Sequence, residues 1–122
     1  MDTRSKILTL AAARQLPARL AIAAGYFDVL RAEHARELSA IKEHAAPLLV
    51  VVLPLEDGLL GQRARAELAA ALRVVDYVVA AGNRDLEPLI DCLQPIRCAR
   101  LECADARRRR ELIEHVRRRH AR

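Results

Sequence analysis

The sequence of 122 residues is poor in aromatic side chains: it has no tryptophan, one phenylalanine and two tyrosines. Proteins that bind single-stranded nucleic acid stack the bases on aromatic rings, and this chain offers little surface for such contacts. It has no apolar run near the ~20 residues that a membrane-spanning helix requires, and its first residues lack the apolar core of a signal peptide. We therefore expect a cytoplasmic protein whose partner is neither a membrane nor nucleic acid.

Cysteine is scarce as well, with three residues: Cys92, Cys98 and Cys103. No two of them form a C-x-x-C pair, and structural zinc sites are typically built on such spacing together with further ligands. An odd number of cysteines is typical of reduced thiols in a reducing compartment. The sequence therefore predicts free thiols and no metal site.

Positive charge is concentrated near the carboxyl-terminal end. The formal net charge is +5, but residues 106–122 contain eight arginines and two glutamates, so this segment carries +6 and the remainder −1. A basic body would indicate nucleic-acid binding, whereas one basic helix is a weaker indication. The arginines at 107–110 either hold phosphate at the start of that helix or form a solvated helix face, and the second interpretation is the simpler.

Short apolar runs alternate with helical patterns, and apolar residues make up 52% of the sequence. The runs predict strands at residues 19–24, 48–53, 76–80 and 96–101. Spacings of three and four predict helices at residues 3–13, 36–44 and 62–74, after Asn83 or Asp85, and at 106–120. The helix at 62–74 is predicted to bury Ala64, Leu68, Leu72 and Val75. Such alternation produces right-handed crossovers, so we predict a single domain over residues 1–122, with an α/β fold of the Rossmann-like three-layer αβα type and a parallel sheet of four or five strands.

The stretch of residues 25–34 follows the first predicted strand. Gly25 ends that strand, a short turn follows, and a helical pattern begins near His34. A strand that leads through a glycine turn into a helix start presents free backbone N–H groups and the positive end of the helix dipole. These groups predict an anion site that suits a phosphate.

The residues of this stretch, GYFDVLRAEH, resemble the signature Gly-x-Phe-Asp-x-x-His-x-Gly-His of the cytidylyltransferase-like nucleotidyltransferases. Within that superfamily they are most similar to the glycerol-3-phosphate cytidylyltransferase and heptose-phosphate nucleotidyltransferase group. Four positions match: Gly25, Phe27, Asp28 and His34. Arg31 and Glu33 stand in place of a histidine and a glycine. The similarity extends over residues 16–119, since residues 65–79 resemble the family's second block, an arginine-led helix that runs into Val-Asp-x-Val.

The resemblance implies a nucleotidyltransferase that transfers a nucleoside monophosphate from a nucleoside triphosphate to a small phosphorylated substrate, with Mg²⁺ as cofactor. The acceptor's phosphate attacks the α-phosphate and pyrophosphate leaves, so the protein supplies position and positive charge. His34 and Arg31 are implied as the catalytic residues. The residues implied in binding the nucleotide or phosphate are Gly25, Tyr26, Phe27, Asp28, Arg65 and Arg107. In this family Phe27 would pack under the turn, and Asp28 would accept backbone N–H groups in the turn.

Departures from the family pattern lower the expected activity. Glu33 adds a side chain where the family's glycine lets the backbone approach, and a like charge ~4 Å from a triphosphate costs about 1–4 kcal/mol. Arg31 keeps a cation that binds phosphate as a fork, without the geometry of an imidazole. The loop after the second predicted strand contains no lysine, which the family carries there. We therefore expect weakened or lost catalysis.

Other interpretations of these residues stay open. A histidine at a helix start such as His34 is often a capping or packing residue, and an acid such as Glu33 is favoured in the first turn of a helix. Arg65 is equally well interpreted as a surface residue of its helix. The alternative function is that of a catalytically inactive relative, acting as an interaction or regulatory module in the form of a homodimer.

Overall fold

Five parallel strands form one sheet in the computed structural model, which describes residues 2–17, 19–28, 32–42, 46–56 and 58–102, together with residues 112, 114 and 116–118 (of residues 32 and 33 the backbone only). The strands are β1 (Ile7–Leu8), β2 (Ala21–Gly25), β3 (Leu48–Val52), β4 (Tyr77–Ala80) and β5 (Arg97–Arg100). Their order across the sheet is β1-β4-β3-β2-β5, and every neighbouring pair is parallel. The predicted α/β fold with a parallel sheet of four or five strands is confirmed.

Helices cover both faces of this sheet: α1 (Leu10–Ala13), α2 (Ala32–Ile41), α3 (Gln62–Ala70) and α4 (Leu86–Leu93). Successive side chains of a strand point to opposite faces, so β2 contributes to two cores. Ala21 and Ala23 pack with residues of α2 and α3 on one face. Ile22 and Ala24 pack with residues of α1 and α4 on the other. The arrangement is the predicted Rossmann-like sandwich of helices, sheet and helices.

The strand β3 runs through the middle of the sheet, and all five of its residues are buried. A parallel strand that is covered on both faces is expected to be a continuous apolar run, as the sequence LLVVV is. Burial of one valine or leucine side chain contributes about 1.5–3 kcal/mol relative to its exposed state. The small alanines of the adjacent β2 let the helices approach the sheet closely.

The predicted buried face of α3 is wrong for the helix itself, although Val75, beyond the end of the helix, is buried as predicted. The helix buries Arg65, Ala66, Ala69 and Ala70, whereas Leu68 is 40% exposed. It also ends at Ala70, short of the predicted end at residue 74. The apolar pattern misled because the long side chain of Arg65 lies on the inner face, where backbone carbonyl groups accept its N–H groups.

The predicted helix at residues 3–13 is also wrong. This segment forms a 3-10 helix at Thr3–Lys6, then β1, then α1. The strand β1 pairs with β4 at the edge of the sheet. Thr9 then starts α1, since its hydroxyl oxygen accepts the N–H of Ala12 at 3.1 Å. Pairing with a strand that is distant in the sequence overrides the local helical preference here.

Two further helix predictions are changed or fall largely outside the described residues. The helix predicted at residues 36–44 is α2, which begins earlier, at Ala32, and ends at Ile41. Of the helix predicted at residues 106–120, residues 112, 114 and 116–118 are described, and all are helical. In the part of the chain that the structure describes, no helix has both the length and the apolar character needed to cross a bilayer.

Candidate functional site

The carboxyl ends of the strands share one edge of the sheet, and the strand order reverses at β2. The chain passes from β2 to β3 on one side and reaches β5 on the other side after β4. In open α/β sheets, ligands bind in the crevice beside such a reversal. The turn that leaves β2, residues 25–28, lies at this point. Beside it, the chain that leaves β5 stays attached to β2, because the N–H of Leu101 donates to the carbonyl oxygen of Ala24 at 2.7 Å.

The backbone of this turn is left-handed at Phe27 and not at the glycine. Phe27 has a φ of 54°, a conformation that is rare for a bulky side chain and costs about 1–3 kcal/mol. Its ring is fully buried in the core that contains residues of α2 and α3, and this burial offsets the strain. Gly25 is the last residue of β2 and pairs with Val52. None of the described glycines has a positive φ.

Asp28 fastens the turn to the loop that follows β3, residues 53–61. One oxygen of its carboxylate accepts the N–H of Leu59 at 2.8 Å, and the other accepts the N–H of Leu60 at 2.9 Å. Asp28 is buried, with 6% of its surface exposed. Hydrogen bonds to a charged group contribute about 1.5–3 kcal/mol each. The carboxylate therefore binds two N–H groups outside its own turn, in the neighbouring loop.

Arg65 of α3 binds the same two segments, the turn after β2 and the loop after β3. Its Nη1 donates to the carbonyl oxygens of Tyr26 and Leu53, both at 2.8 Å, and its Nε donates to the carbonyl oxygen of Leu60 at 3.2 Å. The side chain is 1% exposed. Burial lowers the pKa of the Arg65 guanidinium, and the negative charge of Asp28 acts in the opposite direction. Arg65 thus lies inside the protein, paired with backbone oxygens, and nucleotide binding by it stays a prediction.

Gln62 is a further contributor to this edge that the sequence did not reveal. Its Nε2 donates to the carbonyl oxygen of Val52 at 2.9 Å and to that of Ala81 at 3.1 Å. These two oxygens lie at the carboxyl ends of β3 and β4. A glutamine at the start of a helix with many charged residues gives no indication in the sequence that its side chain binds backbone oxygens. Together with Asp28 and Arg65, Gln62 joins the segments that follow β2, β3 and β4 by side-chain hydrogen bonds to their backbones.

His34 lies in the first turn of α2 and is fully buried. Its ring centroid is 6.2 Å from that of Phe27, with 48° between the ring planes, a separation within the range of aromatic contacts. The structure therefore packs the histidine against the strained residue of the turn. In this conformation the imidazole does not reach solvent, and contact between it and a phosphate stays a prediction.

The predicted site residues divide into two groups. Those that the structure brings together around the end of β2 are Gly25, Tyr26, Phe27, Asp28, His34 and Arg65. Arg31 and Arg107 lie outside the described residues, as does the side chain of Glu33. Of the cations of the predicted site, Arg65 is therefore the one that the described residues include.

An open depression of about 230 Å³ lies beside the turn. Its lining includes Leu55, Glu56 and Leu60 from the loop after β3, and Arg65 from α3. The guanidinium group of Arg65 is already paired with backbone oxygens, and the carboxylate of Glu56 repels a second negative charge. The depression is therefore poorly suited to a phosphate, and an anion site at the turn stays a prediction.

Comparisons with known proteins give a likeness in fold. No protein-family model matches the sequence, and no curated protein sequence matches it. Among solved structures, the chain is similar to the lipopolysaccharide core biosynthesis protein from Thermoplasma volcanium GSS1, with a TM-score of 0.59 and 24% identity over 66% of this chain and 71% of that one. At this level of identity, the likeness shows that the two proteins share a Rossmann-like α/β fold.

Proposed function

We propose that this chain is a nucleotidyltransferase-like domain that binds a nucleotide or another phosphorylated small molecule at the turn after β2, with weak or absent transferase activity. The observation that supports this most is the position of the turn. Four residues that match the family signature, Gly25, Phe27, Asp28 and His34, lie where the strand order reverses at the carboxyl edge of the sheet. The structural neighbour is a lipopolysaccharide core biosynthesis protein, which accords with an origin among biosynthetic proteins.

The reaction of an active member would be a simple displacement. A phosphate oxygen of the acceptor forms a bond to the α-phosphorus of the nucleotide, the bond from that phosphorus to the bridging oxygen breaks, and pyrophosphate leaves with the electron pair. Such chemistry asks the protein for position and for positive charge. We propose that the backbone of the turn and the cations Arg31 and Arg107 supply them. His34, buried against Phe27, then acts by shaping the turn.

Mg²⁺ is proposed to arrive with the triphosphate. Protein-bound magnesium is usually held by one or two carboxylates and by the substrate's phosphates. Within the described residues, no three His, Cys, Asp or Glu side chains lie close enough together to hold a metal ion. The carboxylate of the turn itself, Asp28, has both oxygens engaged by backbone N–H groups. We assign no protein ligand to magnesium and no step that passes through it.

Calorimetric titration with CTP, ATP and their monophosphates, each with Mg²⁺, tests the binding. We expect a measurable heat and a higher melting temperature with at least one of them. Arg31→Gln should weaken that binding, whereas Arg14→Gln, which changes an exposed arginine beyond the end of α1, should not. The proposed function is wrong if millimolar ligand produces neither heat nor a thermal shift.

The second candidate is an inactive interaction module, and the exposed leucine pair favours it. Leu59 and Leu60 are adjacent, and they are 54% and 38% exposed. Asp28 fixes their backbone N–H groups, so the chain presents two apolar side chains from a fixed loop. Light scattering with Leu59→Ser as the variant would report a homodimer built on this pair. Robust release of pyrophosphate from CTP or ATP with glycerol 3-phosphate or a sugar phosphate would rule this candidate out.

A further inference from the structure

The turn after β2 and the loop after β3 are joined by a closed ring of contacts. The N–H of Leu60 donates to Asp28, and the carbonyl oxygen of Leu60 accepts from Arg65. Arg65 also binds the carbonyl oxygen of Tyr26, two residues before Asp28 in the same turn. Both peptide groups of one loop residue are therefore tied to the turn, through two different side chains.

This ring is buried and charged, which makes partial opening costly. Asp28 and Arg65 are 6% and 1% exposed, and each uses its charged group for at least two hydrogen bonds to the backbone. A buried carboxylate that leaves two N–H partners loses two charge-assisted hydrogen bonds, each of which contributes about 1.5–3 kcal/mol. If the loop separates from the turn, it therefore disturbs both charged side chains and, with them, the strained Phe27, which lies in sequence between Tyr26 and Asp28.

We infer that Asp28 and Arg65 make the turn after β2 and the loop after β3 one cooperative unit, so that an anion bound at the turn also holds the loop closed. The inference rests on the proposed function, because it needs a nucleotide or phosphate at the turn. Such an anion fixes the backbone of residues 26–28 and hence the position of the Asp28 carboxylate. The loop that carries Leu59 and Leu60 then opens only when the anion leaves.

Hydrogen exchange of individual amides measures this coupling. The N–H groups of Leu59 and Leu60 exchange only when they leave Asp28. A ligand that binds the closed unit alone lowers the open population by the factor 1 + [L]/Kd, so their exchange should slow about tenfold when CTP with Mg²⁺ is present at roughly ten times its Kd. The N–H of Leu72, which bonds within the turn after α3, should keep its rate. ATP and inorganic pyrophosphate serve as parallel probes.

Two variants separate coupling from simple packing. Asp28→Asn should accelerate exchange at Leu59 and Leu60 and remove the slowing by ligand, and Asp91→Asn on the exposed surface of α4 is its control. If Asp28→Asn does not fold, Arg65→Lys provides the test, with the exposed Arg63→Lys as its control. The N–H of Leu59 donates to Asp28 and not to Arg65. If the turn and the loop are coupled, the ligand-induced slowing of exchange at this N–H should nevertheless fall several-fold in Arg65→Lys.

The outcomes separate this inference from the proposed function. Heat of binding together with slowed exchange at Leu59 and Leu60 supports both. Heat of binding with unchanged exchange at these two amides overturns the coupling and leaves the binding function standing. No heat with CTP, ATP or pyrophosphate overturns both.

Discussion

Replacement of Arg65 by methionine removes the donor that joins three backbone carbonyl oxygens at the carboxyl edge of the sheet. Those oxygens, on Tyr26, Leu53 and Leu60, lie 2.8, 2.8 and 3.2 Å from the guanidinium nitrogens. Hydrogen bonds from a charged group contribute about 1.5–3 kcal/mol each. Methionine recovers part of this by filling the same volume without a charge to desolvate, but the three carbonyl oxygens then lose a charged donor. We therefore expect Arg65→Met to lower the free energy of unfolding by about 3–5 kcal/mol.

Urea denaturation followed by circular dichroism measures this change. The matched control is Arg63→Met, because Arg63 lies two positions before Arg65 in α3, on the outer face, with 67% of its side chain exposed and an ion pair to Glu67. Such a surface pair contributes about 0.3–0.5 kcal/mol. A loss of less than about 1 kcal/mol in Arg65→Met, close to that of the control, would show that the carbonyl oxygens find other donors and that Arg65 does not hold the edge together.

Three further changes have defined expectations. Gln62→Leu leaves the carbonyl oxygens of β3 and β4 without their shared donor, so it should cost about 1–3 kcal/mol in urea denaturation; an unchanged midpoint would contradict this. Asp76→Ala removes the acceptor of the Leu48 N–H and of the Lys42 ammonium, at 2.8 and 2.9 Å, and should cost about 1–3 kcal/mol, with a smaller difference from the parent protein in high salt because the ion pair is partly exposed. Burial raises the pKa of the Cys98 thiol above its ordinary value of 9.0, and Arg100 lowers it only in part. The thiolate is therefore scarcer at pH 8 than in a free cysteine, and in a variant with Cys98 as its only cysteine the alkylation rate should reach half of its maximum above pH 9.0; a midpoint below this value would contradict it.

The sequence predicts the layered fold well because the relevant signals are local. The run LLVVV has the continuous apolar character of a parallel strand that is covered on both faces, and the helices between strands have spacings that repeat within a few residues. The position of the turn after β2 also follows from local order, since a strand, a turn and a helix start are consecutive there. The prediction failed at residues 3–13, where a helix was expected, because β1 is a strand only through its pairing with the distant β4.

The chemistry of the site depends on distant contacts and was much harder to predict. Arg65 looks like a surface residue because a charged side chain on an amphipathic helix usually points outward. The alanines at 66, 69 and 70 were the available signal, since they mark a face that packs closely against the sheet. Gln62 had no such signal, and for Asp28 the family resemblance implied an acceptor of backbone N–H groups but not the loop that supplies them. Their partners are backbone groups in other loops, and no spacing in the sequence encodes those contacts.

The two outermost strands of the sheet have a consequence for how copies of this chain behave in concentrated solution. Strand β1 has only two residues, so it offers very few unpaired groups on which a foreign strand could add. At the opposite rim of the described sheet, β5 carries Arg97 and Arg100 exposed, and Arg100 forms ion pairs with Glu87 and Glu102. Short rims and charged rims both oppose the edge-to-edge joining of sheets that begins aggregation. The two outer strands thereby oppose the association of copies of a chain whose interior strand is highly apolar.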